Sequence, residues 1–163
     1  MTPGDHLALL QGLYRDKLAL YRRHQAGAAL VSAYDANNAY QYILEREDAH
    51  LQWLRRALEE MGGVPDETAA PFDPPPSGTG PAAVGAVAEE DARGAGEFVA
   101  RWRPRVASFT HARDLKLLEL ILGEVAEHQR FFLQAASGSV DLLGRRPDGV
   151  GTGGGVLPVR WIE

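Results

Sequence analysis

From Tyr40 to Met61 the inward-facing positions recur at steps of 4, 3, 4, 3, 4 and 3: Tyr40, Leu44, Glu47, Leu51, Leu54, Leu58 and Met61. That period is the mark of a helix packed in a bundle with one face kept out of water. Glu47 alone interrupts the apolar line, and His50 flanks the same face three residues on. A carboxylate in such a stripe is costly unless something pairs with it or coordinates it, so Glu47-x-x-His50 raises the question of what stands opposite.

Three further segments carry the same kind of pattern. Thr2-Pro3 reads as an N-cap with proline at the first helical position, opening a helix over about 3–31 with Gly12 and Gly27 as tolerable interruptions. Its apolar positions fall on two adjacent lines, Leu7, Leu10, Tyr14, Tyr21 and Leu9, Leu13, Asp16, Leu20, so Asp16 shares a line with leucines. Ser32 or Asp35 is expected to cap a second helix over about 36–61, which stops at Gly62-Gly63 with Pro65 just beyond. Residues 63–81 are rich in proline and read as an extended connection long enough to cross from one end of a bundle to the other. A third helix, about 82–109, carries Val84, Ala88, Asp91, Ala95, Phe98 and Trp102 on one line, and Pro104 is expected to kink it or end it early. A fourth, about 112–137, starts at Thr110 or Asp114 and has two lines. One is Leu115, Leu118, Leu122, Val125, Gln129, Phe132; the other is Leu117, Ile121, Glu124, His128, Phe131, Ala135. The expected fold is all-α: a four-helix bundle over residues 1–137 with short 1–2 and 3–4 corners and a long 2–3 crossover. A glycine-rich, non-helical tail over 138–163 then ends in VLPVRWIE.

Composition narrows the partners. A chain of 163 residues suits one domain with a real core. A formal charge of -5 gives no electrostatic reason to expect nucleic acid or an anionic membrane. The lack of cysteine rules out disulfides, thiolate zinc sites, iron–sulfur clusters and cysteine nucleophiles, and fits a reducing compartment. Gln11, Arg15 and Asp16 break the first apolar run, which argues against a signal peptide, and no uncharged run approaches a membrane span. The expected location is cytoplasmic.

Each helix thus places one acid on an apolar line. The first two carry Asp16 and Glu47-x-x-His50, with 31 residues from acid to acid; the last two carry Asp91 and Glu124-x-x-x-His128, with 33. Four carboxylates and two imidazoles facing one bundle core make a donor set suited to a pair of hard-to-borderline metal ions. On these residues the chain resembles the ferritin-like superfamily, the bundle shared by bacterioferritins, rubrerythrins and related di-iron carboxylate proteins. The resemblance covers roughly residues 5–137. It implies a di-iron or di-manganese centre held by Asp16, Glu47, Asp91, Glu124, His50 and His128. It also implies ferroxidase- or peroxidase-like chemistry (iron oxidation, iron handling or peroxide removal) and a homo-dimer or larger homo-oligomer. The chain departs from that family at three places: Asp16 and Asp91 stand where glutamates are usual, and Glu127 occupies the position three after Glu124, putting His128 one residue late.

A second reading keeps the architecture and replaces the metal with buried hydrogen bonds and ion pairs, leaving a helical module whose work is binding. Glu47 then pairs with a basic residue such as Arg15 or Lys17, and His128 is a satisfied core histidine. VLPVRWIE docks on a partner protein or a neighbouring subunit, or covers a groove on its own bundle. The remaining histidines, His6, His24 and His111, are read as helix-end or surface residues, and the tyrosines as packing.

Overall fold

Thr2 opens the chain as expected. Its hydroxyl accepts the Asp5 N–H at 3.2 Å, while the Asp5 carboxylate accepts the Thr2 N–H at 2.8 Å, a reciprocal cap that starts α1, Pro3–Ala28. This computed structural model describes residues 2–69, 71–76 and 80–139. Three more helices follow: α2, Tyr34–Glu60; α3, Pro81–Val106; and α4, Ala112–Ala136. Among the described residues there is no strand, so the fold is an all-helical four-helix bundle. Most of the tail, residues 140–163, lies outside the described residues, and with it the expectation about VLPVRWIE.

The corners differ in detail from the sequence expectation. The α2 N-cap is Ala33, without a side-chain cap. The α1–α2 corner is closed from the other side: Asn37 Nδ2 donates to the carbonyls of Val31 at 2.9 Å and Ala28 at 3.3 Å, satisfying groups that the end of α1 leaves open. The α4 N-cap is His111, also without a capping side-chain bond. Nor does Pro104 end α3 early. It sits in the last turn, where only one helical hydrogen bond is lost, and burial of Trp102 and Val106 holds that turn in place.

α1 packs on α2 and α3 on α4, and the two pairs meet through α1 against α3 and α2 against α4. Two apolar clusters fill the interior. The larger holds Leu10, Leu13, Leu54, Leu58, Trp102, Leu118 and Ile121; the smaller holds Ala28, Val31, Tyr40, Ile43, Val87, Phe131 and Phe132. The helices pass from one cluster to the other through a polar layer. His24 lies between Leu20 and Ala28, Glu47 and His50 between Ile43 and Leu51, Asp91 between Val87 and Ala95, and His128 between Val125 and Phe131. No helix among the described residues is long and apolar enough to cross a membrane.

Candidate functional site

The register of α1 decides what the polar layer contains. Its inward line runs Leu10, Tyr14, Lys17, half-buried Tyr21, His24, Ala28 and Val31, again at steps of 4 and 3. Asp16 sits one residue off that line at the α1–α3 rim, where its side chain keeps 23% of its exposure. It accepts from Arg101 Nη1 and from Trp102 Nε1, both at 3.0 Å. The expectation that the first helix offers Asp16 to the interior is therefore corrected. The residue it sends inward is Lys17, with no exposed surface at all.

Lys17 lays its ammonium on Glu47 Oε1, itself fully buried, with the Phe98 ring centroid 5.8 Å away. On the other oxygen of the same carboxylate, His24 Nδ1 donates to Oε2 at 2.8 Å. His128 Nδ1 stands 3.8 Å from Oε1, too far for a hydrogen bond. Burial pushes the Glu47 carboxyl up, but the adjoining His24 ring, the Lys17 ammonium and the His128 ring outweigh it and hold it well below the usual carboxylate range. Burial pulls Lys17 below an ordinary lysine, with Glu47 opposing that pull. His24, read from the sequence as a helix-end or surface residue, is thus a central member of the cluster, held by its place on the inward line and by Phe132, whose ring centroid lies 4.7 Å away.

The second acid of the layer is tied separately. Glu124 Oε2 accepts from His50 Nε2 at 2.8 Å and from Arg46 Nε at 2.9 Å, and Oε1 accepts from Arg46 Nη2 at 2.6 Å. Burial raises Glu124, yet the fork of Arg46 and the His50 N–H bring it below its ordinary value. Burial, with the Lys17 charge nearby, lowers His50 to about 4 against the pull of Glu124. His50 is therefore neutral near pH 7, its proton committed to Nε2 by the bond to Glu124, and its Nδ1 carries a free lone pair. Burial also lowers His128, which Glu47 opposes. Among the described residues, His24 Nε2, His50 Nδ1 and His128 Nδ1 are the buried side-chain polar atoms without a hydrogen-bond partner.

Asp91 is held closer to the α1–α2 corner. It takes Arg23 Nε on Oδ1 at 3.0 Å and the Tyr40 hydroxyl on Oδ2 at 2.6 Å, all three groups buried. Burial, reinforced by the Asp91 charge, pushes the Tyr40 phenol up strongly. The approach depends on Gly27: a Cβ there would stand well inside contact distance of Asp91 Oδ2 and press on Tyr40 and Val87.

Each of the four acids read from the sequence therefore has a lysine or arginine partner, Asp16 with Arg101, Glu47 with Lys17, Asp91 with Arg23 and Glu124 with Arg46, and Glu47 and Glu124 each hold a histidine as well. Of the six expected ligands the structure links Glu47 with His128 loosely and Glu124 with His50 directly; Asp16 and Asp91 bond elsewhere. Among the described residues no three His, Asp or Glu side chains are arranged to hold a metal ion. The residues do not fit a two-ion centre for a chemical reason as well. An ammonium occupies one face of the acid that would bridge the ions, and a guanidinium neutralises each of the other three. The pairing of Glu47 with Lys17, one of the two basic partners the sequence offered, is the one the structure shows, although the α1 stripe as read jumps from Tyr14 to Tyr21 and leaves position 17 out; His24 was missed as a member. Compared with protein-family models, curated proteins and solved structures, the chain matches none.

Proposed function

We propose that this chain is a ferritin-like helical bundle, with a long crossover between its second and third helices, that serves as a binding and structural module. Its interior charge is balanced by its own lysine and arginines. The observation that carries this reading is the Lys17 ammonium on Glu47. A buried acid of that kind needs a cation, and here the cation is covalently part of the chain. Arg23 and Arg46 answer Asp91 and Glu124 in the same way, and Arg101 answers Asp16 at the rim, so each of these acids has a cation from the chain itself.

A second reading, a di-iron or di-manganese protein for iron oxidation or peroxide removal, draws support from the two unpartnered Nδ1 atoms of His50 and His128. It requires Lys17 to leave Glu47. The test is metal content after expression in iron- and manganese-supplemented medium, joined to thermal melts with added Fe(II) or Mn(II). A ion that binds only the folded state stabilises it by about 2.7 kcal/mol at a hundred times its dissociation constant. Substoichiometric metal and unchanged melting support an interior balanced by the chain's own cations, on which the proposed module rests. Stoichiometric metal, with a melting rise that Glu47→Ala abolishes, overturns it.

A further inference from the structure

At the end of the bundle farthest from Thr2, the α1–α2 corner, the start of α3 and the end of α4 enclose a groove of about 620 Å³. Its walls are built largely from small side chains, among them Ala33, Ala36, Gly85 and Ala136, with Leu30 and Val84 as the larger apolar surfaces. Leu30 keeps 40% of its exposure. Small walls leave room for bulky side chains that the groove itself does not supply.

The last described residues, Gly138 and Ser139, lie on the rim of this groove. Gly138 takes a positive φ of 85°, and the Ser139 N–H returns to the Gln134 carbonyl at 3.0 Å, so the backbone turns across the end of α4 instead of running on along its axis. Ser139 is a wall of the groove. The 24 residues after it, 140–163, include a glycine-rich stretch and then Val156-Leu157-Pro158-Val159-Arg160-Trp161-Ile162.

We propose that Val156–Ile162 of the same chain is the occupant of this groove, with Leu157, Trp161 and Ile162 filling the space that its alanines and glycines leave. Reach and concentration both favour the chain's own segment over another copy. The connection from Ser139 to Val156 spans 17 residue steps. A glycine-rich chain of that length has a root-mean-square span of roughly 22 Å. Anchored at the groove's rim, it presents the segment at an effective concentration on the order of millimolar. Closing such a loop adds only a slowly growing entropic cost.

The absence of cysteine makes the test direct. In the full chain, Ala33→Cys on the exposed groove wall is combined with Leu157→Cys, and disulfide formation is followed on non-reducing gels across a range of protein concentrations. The control pairs Leu157→Cys with Glu119→Cys, which lies about 25 Å from the groove along α4 at 1.5 Å per residue. Circular dichroism confirms that both variants are folded. The expected result is an intrachain bridge in the Ala33 pair, forming at a rate independent of protein concentration and about tenfold or more faster than in the control. A bridge that forms between chains and quickens with concentration overturns the proposal in favour of a second copy. Equal rates in the two pairs, or no bridge, overturn it altogether.

Discussion

Replacing Lys17 by methionine keeps most of the buried apolar stem and removes the charge, so it isolates what the ammonium does for Glu47. The wild-type pair is fully buried on both sides. Removing one partner of a buried pair costs about 3–5 kcal/mol, because the other charge is left without compensation. Against a total stability on the order of 5–15 kcal/mol that is a large fraction. In a chain of this size it lowers the melting temperature by roughly 2–4 °C per kcal/mol. Pairing Lys17→Met with Glu47→Gln removes both charges while glutamine still accepts from His24 Nδ1, so the double variant is expected to recover most of the loss. Urea denaturation of the two singles and the double closes the cycle. The Lys17→Met deficit is also expected to shrink in acid, where Glu47 takes up a proton and no longer needs a cation. Costs that simply add in the double variant, or a Lys17→Met loss below about 1 kcal/mol, would refute the reasoning.

Tyr40→Phe removes the hydroxyl donated to Asp91 at 2.6 Å, and a loss of about 1.5–3 kcal/mol is expected in the same denaturation assay. Gly27→Ala is expected to destabilise despite the helix propensity of alanine, worth about 1 kcal/mol, because its Cβ displaces Asp91 from Tyr40; a stabilised variant would show that the approach is loose. Acid is expected to act in two stages. His50 is held at about 4 when folded against 6.5 as a free imidazole, so the unfolded chain takes the proton first and stability falls as pH drops from about 6.5 towards 4, by roughly 3 kcal/mol in full. Glu47 and Glu124 both lie below 4.5 when folded, so their contribution, complete above that value, is lost in turn as pH falls further. A urea midpoint that stays flat between pH 7 and pH 4 would contradict this.

The interior faces of α2, α3 and α4 were legible because each keeps an apolar or aromatic residue at nearly every step, leaving Glu47, Asp91 and His128 as evident exceptions on buried lines. α1 was harder for a physical reason. Lysine has a long apolar stem and a charged head, and it normally snorkels to water, so a pattern-based reading puts it outside and skips to the next tyrosine. Only a partner from another helix makes its burial tolerable, and periodicity within one helix carries no record of such a partner. The same holds for Asp16, whose Trp102 and Arg101 partners come from α3, and for Asn37, which caps the helix before its own. Periodicity gave the presence of acids near the interior; which cation answers each one depends on side-chain reach across helices.

The most direct measurement is the state of Lys17 in the intact protein at neutral pH, by nitrogen-15 spectroscopy of its side chain with a correlation across to the Glu47 carboxyl carbon. A slowly exchanging, protonated ammonium coupled to Glu47, and unmoved by added iron or manganese, is expected. A rapidly exchanging Lys17 amine without that coupling, or a signal displaced from Glu47 when metal is added, would contradict an interior balanced by the chain's own cations.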